Sequence, residues 1–143
     1  MPNANYVHVI TLYNCLKATD SPDKKEHWYR YVLHDCFYKA GMTVTQDGTQ
    51  AKQSNTYTVR IPESVQYKPY REWVALAEEE RKNCFTVSLG DLVVKGDWMD
   101  TIDKESGISA AQILVRCKPD AFRVTAFSDN AKNLFAKHYR LGG

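Results

Sequence analysis

No two cysteines in this chain are spaced for a metal or redox site. Cys15, Cys36, Cys84 and Cys117 lie far apart and form no Cys-x-x-Cys pair, which argues against a zinc centre and against a disulfide-exchange motif. Long apolar runs are also missing. No stretch approaches the roughly 18 apolar residues of a membrane span, and no charged segment followed by an apolar run opens the chain as a secretory signal would. The expectation is a protein made in the cytoplasm, away from membranes, with four reduced and mostly buried thiols. Neither sign of charge dominates: 19 basic and 17 acidic residues leave a formal net charge of +2. That balance does not imply a nucleic-acid partner, whose phosphates call for a basic face. The nearest approach is a short basic tail over residues 131–143, with Lys132, Lys137, His138 and Arg140. It reads either as a solvated tail or as a contact for an anionic surface such as passing DNA.

Catalytic signatures are absent too. The histidines His8, His27, His34 and His138 include no His-Glu-x-x-His pair. There is no Gly-x-Ser-x-Gly elbow and no phosphate-binding Gly-x-x-x-x-Gly-Lys-Ser/Thr loop. Asp91, Asp97, Asp100, Asp103 and Glu105 are clustered but not at the spacing of a calcium loop. Glu63 has no marked carboxylate partner for glycoside chemistry. His34 and Cys36 share a face of one expected strand, but neighbours two apart on a strand are separated by about 6.6 Å, beyond a hydrogen bond. The reading is a protein without catalytic residues, cofactor or metal.

What the sequence does have is aromatic and β-branched bulk. It has 143 residues, 43% of them hydrophobic, with nine Tyr, five Phe and three Trp. This suits one β-rich domain over residues 1–143 with a real core. Strands are expected at residues 6–13, 27–38 with a short continuation at 42–46, 56–61, 84–88, 92–94, 121–127 and 138–141. Residues 56–61 alternate most cleanly, with Tyr57, Val59 and Ile61 on one side, and Pro62 ends the run. Residues 27–38 are apolar on both parities, which fits a strand covered on both faces or one buried in an oligomer. Asp47-Gly48 signals a turn, residues 14–25 read as a loop, and residues 43–55 are expected to include a flexible loop. Residues 84–94 read as a hairpin turning at Leu89-Gly90-Asp91. Two helices are expected. One spans 69–82, with Tyr70, Trp73, Val74 and Ala77 on one stripe; the other starts at a Ser109–Gln112 capping box. The fold class is therefore mainly β: a small barrel or sandwich of about seven strands with two short helices. Tyr67, Tyr70, Trp98 and Tyr139 fall near element ends, where such residues serve equally as interface anchors or as core lids.

The order of several segments resembles a family of small proteins encoded in the structural-gene modules of phages and prophages of Gram-positive bacteria, among the minor capsid and head–tail joining proteins. The resembling segments are Ile10-Thr11-Leu12-Tyr13-Asn14, Tyr57-Thr58-Val59-Arg60-Ile61-Pro62, Phe85-Thr86-Val87, and Gly90-Asp91-Leu92-Val93-Val94-Lys95-Gly96. Phe122-Arg123-Val124-Thr125-Ala126-Phe127 with Ser128-Asp129-Asn130, and His138-Tyr139-Arg140-Leu141-Gly142-Gly143, complete the set. The resemblance implies a non-enzymatic virion protein. It would be a head-completion or stopper subunit, a β-barrel assembled as a homo-oligomeric ring that joins portal or adaptor to tail terminator. Gln46, Gln50, Lys52, Gln53, Trp98, Lys132, Lys137, Tyr139 and Arg140 are the expected subunit or channel contacts. The competing expectation is a small phage or prophage accessory module that binds a host protein.

Overall fold

The computed structural model describes residues 7–48, 50–103, 107–118, 120–129 and 138–143. Seven strands alternate with three short α-helices and one 3-10 turn: β1 His8–Leu16, the turn Ala18–Asp20, β2 His27–Asp47, β3 Gln50–Pro62, α1 Tyr70–Ala75, α2 Glu78–Arg81, β4 Leu92–Lys95, α3 Ala110–Arg116, β5 Ala121–Arg123, β6 Ala126–Asp129 and β7 His138–Gly142. All strand pairs are antiparallel, in the order β5-β4-β1-β2-β3-β7-β6. The sheet is a curled half-barrel, mainly β as the aromatic and β-branched content requires.

Two strands create the curl by changing partners partway along. β2 pairs with β1 up to Cys36 and with β3 from Phe37 onward. At the changeover, two steps of β1 (His8 to Ile10) face three of β2 (Leu33 to Cys36), and Asp35 adopts φ +56. This is a β-bulge, which bends a strand and adds local twist. On the other side, β5 and β6 are the two ends of the sheet, yet only Val124 and Thr125 join them. Three peptide steps span at most about 11 Å, so the ends of the sheet meet in one bent strand. Each residue of the bend is bonded to a different side. Val124 N–H donates to the Asp91 carbonyl at 2.7 Å and its carbonyl accepts from Gly90 at 2.8 Å, while Thr125 N–H donates to Gly142 at 2.8 Å. The corner thus leaves these backbone groups satisfied. This bend is why residues 121–127, read as one strand, form two.

The main core lies inside the curl. Ile10, Leu12, Leu33, Cys36, Tyr38, Val59, Ile61, Phe85, Val93, Phe122, Tyr139 and Leu141 are buried there, with Tyr31, Tyr57, Tyr67 and Phe127 packed against them. A second cluster covers the other face of β1 and β4: Tyr13, Leu92, Val94, Ile102, Ile113, Cys117 and Ala121, with Trp28 and Trp98. β1 and β4 are therefore buried on both faces, and their sequences do not alternate. Gly143 lies against the Phe122 ring so closely that a Cβ would sit 2.2 Å from Cδ2.

Several expected elements take a different form. β1 continues to Leu16, through residues expected in a loop. Residues 50–55, expected as loop, are strand paired with residues 42–47. Residues 84–88 do not pair with β4, which lies between β1 and β5. Asn14 takes the place of that ladder. Its side-chain amide donates to the Thr86 carbonyl and its Oδ1 accepts from Thr86 N–H at 3.2 Å, so one side chain satisfies both backbone groups of the residue it faces. Phe85 adds a parallel bridge with Tyr67. The helix expected over 69–82 breaks at Leu76 and Ala77, both extended. Restarting there puts Glu78, Glu79 and Glu80 in a first turn, where the helix dipole favours acids, rather than in a last turn, where it opposes them. The capping box at Ser109 is present: Gln112 N–H donates to Ser109 Oγ and Ser109 N–H donates to Gln112 Oε1.

Candidate functional site

Two surface features stand apart from the packed core. The first is the outer half of the β2–β3 hairpin. The ladder runs from Phe37 opposite Arg60 to Asp47 opposite Gln50. β1 reaches β2 only as far as Cys36, and β7 covers β3 only from Thr58 to Pro62. Residues 42–47 and 50–55 therefore pair only with one another among the described residues. Five steps at about 3.4 Å make a two-stranded ribbon roughly 17 Å long. Its turn contains Gly48 at φ +66, the left-handed conformation glycine allows without strain. Of the expected contact residues, Gln46, Gln50, Lys52 and Gln53 all stand on this ribbon; Lys52 is opposite Thr45 and Gln53 opposite Val44.

The other expected contacts scatter. Tyr139 is buried, 4% exposed, with its ring stacked on Tyr67 at 4.2 Å. It is a core lid rather than a contact. Trp98 packs on the second core cluster; its backbone N–H donates to Thr11 Oγ1 at 2.8 Å and its carbonyl accepts from Arg30. Arg140 is exposed on β7, opposite Arg60 of β3 and Ser128 of β6. The Arg60 guanidinium lies over the Phe37 ring at 5.3 Å. Lys132 and Lys137 lie outside the described residues.

The second feature is a polar groove of about 710 Å³ along the start of β2, continuous with a recess of about 240 Å³ beneath α2. Asp23, His27, Tyr29 and Glu78 border both. One wall is a turn wound around Asp23. Ser21 Oγ donates to its Oδ1 at 2.6 Å, Lys25 N–H donates at 2.9 Å, and His27 Nε2 lies 2.8 Å from Oδ2. These donors, Ser21 first, hold the Asp23 carboxyl well below the usual carboxylate range. Glu26 accepts from Trp28 Nε1 at 2.7 Å, and Arg30 is paired with Asp97 at 2.6 Å. Among the residues lining the recess is Arg81, 9% exposed, with its guanidinium 5.5 Å from the Tyr29 ring centroid. The run Glu78-Glu79-Glu80-Arg81-Lys82 reads from the sequence as a solvated charged end, and the burial of Arg81 departs from that expectation. A signal was present: Arg81 falls four residues after Ala77, the next position on the stripe of Tyr70, Trp73 and Ala77.

The thiols of Cys36 and Cys15 are not activated. Burial pushes the Cys36 thiol up to about 12, and its Sγ–H points at the His34 carbonyl rather than the His34 ring. Burial likewise pushes Cys15 up to about 12. Thiols so raised are poor nucleophiles near neutrality. None of the four cysteines is bridged to another. Among the described residues, no three His, Cys, Asp or Glu side chains converge as a metal requires, and no helix is long and apolar enough to cross a membrane.

One further buried group is strongly perturbed. Asp91 is 1% exposed and accepts from Asn14 Nδ2 at 3.0 Å, Cys15 N–H at 3.1 Å and Ser88 N–H at 2.9 Å. Burial raises its carboxyl to about 6 against these donors, which pull it down. With Asn14 it fastens residues 86–91 to β1 and is a structural lock.

These features define a small antiparallel β domain that presents a projecting ribbon and a polar groove. By the match of its family model over residues 6–143, the chain belongs to a family of unknown function, DUF6751. Neither a search of curated proteins nor one of solved structures returned a match.

Proposed function

We propose that this chain is a non-enzymatic structural subunit of a phage or prophage virion, of the head–tail connector type, whose β2–β3 ribbon engages the neighbouring copy in a ring. The observation that carries the reading is the ribbon. An isolated two-stranded hairpin is at best marginally stable in water, and residues 42–55 supply few apolar side chains to hold it. Such an arm gains most from a second surface. A polar ribbon extended from a rigid curl is the geometry by which one subunit reaches another around a closed ring. The segment-order resemblance supplies the virion setting, and Arg140 beside Arg60 offers a basic strip on the outer face of β3 and β7. Mass spectrometry of purified particles tests the reading: the protein should be present at several copies per virion and cross-link to itself through Lys52. Its absence from intact particles would overturn it.

A further inference from the structure

We infer that the recess beneath α2 is a carboxylate-binding site, with Arg81 as its anchor and an Asp or Glu side chain of a partner polypeptide as its occupant. A guanidinium cannot shed its charge by deprotonating, so a buried one needs a counter-charge or strong hydrogen bonds. Arg81 has neither among the described residues. It is 91% buried, its Nε has no hydrogen-bond partner, and no carboxylate oxygen lies within ion-pair distance. Its one close electrostatic neighbour is the Tyr29 ring face, which holds the guanidinium plane in place without neutralising it.

The carboxylates nearby are committed or displaced. Asp23 is held by Ser21, Lys25 and His27. Glu78 borders the recess three residues before Arg81, but the two form no ion pair. The negative charge they bring still matters. A dianionic phosphate would face Asp23 and Glu78 together, whereas a singly charged carboxylate matches the planar fork with less repulsion. The recess, at about 240 Å³, has room for one side chain, and the adjoining groove of about 710 Å³ has room for the residues around it. Trp28 and Tyr29 line the groove with aromatic surface, where Lys25 and Lys82 stand among the acids Glu26 and Asp103. The ligand class is thus an acidic side chain in an extended segment. The inference stands on this recess and not on the connector reading, and particle composition does not bear on it.

The test is a titration of 15N-labelled protein followed at the Arg81 Nε–Hε resonance and the His27 and Tyr29 amides. The probes are N-acetylglutamate α-amide, which carries one side-chain carboxylate, and inorganic phosphate, both at constant ionic strength. We expect the carboxylate probe to shift Arg81 saturably with millimolar affinity and phosphate to bind more weakly. Arg81→Lys keeps the charge but loses the fork, and should weaken carboxylate binding roughly tenfold, read at the His27 and Tyr29 amides. Should that variant fail to fold, the wild-type resonance alone decides. A linear, non-saturating response overturns the site. Tighter binding of phosphate overturns the choice of ligand, and undiminished affinity in a folded Arg81→Lys protein overturns the role of Arg81.

Discussion

Asp91 shows how one buried carboxyl can hold a segment in place at a cost that depends on pH. Three donors converge on it, and truncation would leave Cys15 N–H, Ser88 N–H and the Asn14 amide facing an empty space. Asp91→Ala should lower unfolding stability by about 3 kcal/mol, measured by urea denaturation. The carboxyl is raised to about 6 in the folded state, above the roughly 3.9 of an unfolded chain. The folded state therefore holds this proton more tightly, and the stability linked to it is present below about 4 and lost as pH rises through about 6. In Asp91→Asn that component should vanish, so the variant's stability should change less than the wild type's between pH 4 and 7. Equal slopes would mean Asp91 titrates normally. Tyr139 belongs at the same scale. Tyr139→Ala should destabilise the isolated protein by about 3 kcal/mol, because the residue is buried against Tyr67. An interface anchor would leave the isolated protein's thermal midpoint unchanged.

At the scale of elements, the ribbon and the bulge carry different predictions. Joining Met42 to Asn55 through Asn-Gly would remove the outer ribbon and keep a two-residue turn. Because those rows pair only with each other among the described residues, the thermal midpoint should move by no more than about 3 °C, while the self-association that the proposed ring requires, measured by light scattering or cross-linking, should be lost. The bulge is the opposite case. Asp35 sits at φ +56, where a Cβ costs about 1 kcal/mol, so Asp35→Gly should stabilise by up to that amount and Asp35→Val should destabilise.

The sequence was legible where a single period governs. Tyr57, Val59 and Ile61 alternate because β3 has one buried face there, and the Ser109 capping box needs only residues three apart. It was illegible where distant partners decide. Residues 84–88 look like a strand, but distant groups supply their hydrogen bonds: the side chain of Asn14, some 70 residues away, for Thr86, and the backbone of residues 66–68 for Phe85. Residues 121–127 look like one strand because nothing local marks a change of partner at Val124. Residues 50–55 are polar and read as loop, yet the turn at Gly48 and the ladder to residues 42–47 make them strand. Of the candidate site, Asp47-Gly48 marked the turn of the ribbon, but its second strand read as loop. The recess was legible only in the spacing that puts Arg81 next on the stripe of Tyr70, Trp73 and Ala77, a signal that the surrounding charge run masks.

At the scale of the whole molecule, two partner-switching strands tie the halves of the sheet together. β2 crosses at Asp35, and the β5–β6 strand crosses at Val124 and Thr125. Neither half can separate without breaking both crossings, so unfolding should be a single transition. Trp28 and Trp98 report the cluster behind β1 and β4, and far-ultraviolet circular dichroism reports the strands throughout. Their urea midpoints should coincide; two separated midpoints would mean that the halves fold independently.

The continuity of β2 has a mechanical consequence. The same 21-residue strand that forms one edge of the ribbon runs through the Asp35 bulge into the ladder with β1 at the centre of the sheet. Its hydrogen bonds lie across the strand direction, so tension applied to the ribbon tip loads the whole β1–β2 ladder in shear, many bonds at once, instead of peeling them one by one. A subunit held by this arm would behave as a stiff tether and transmit force into its own interior.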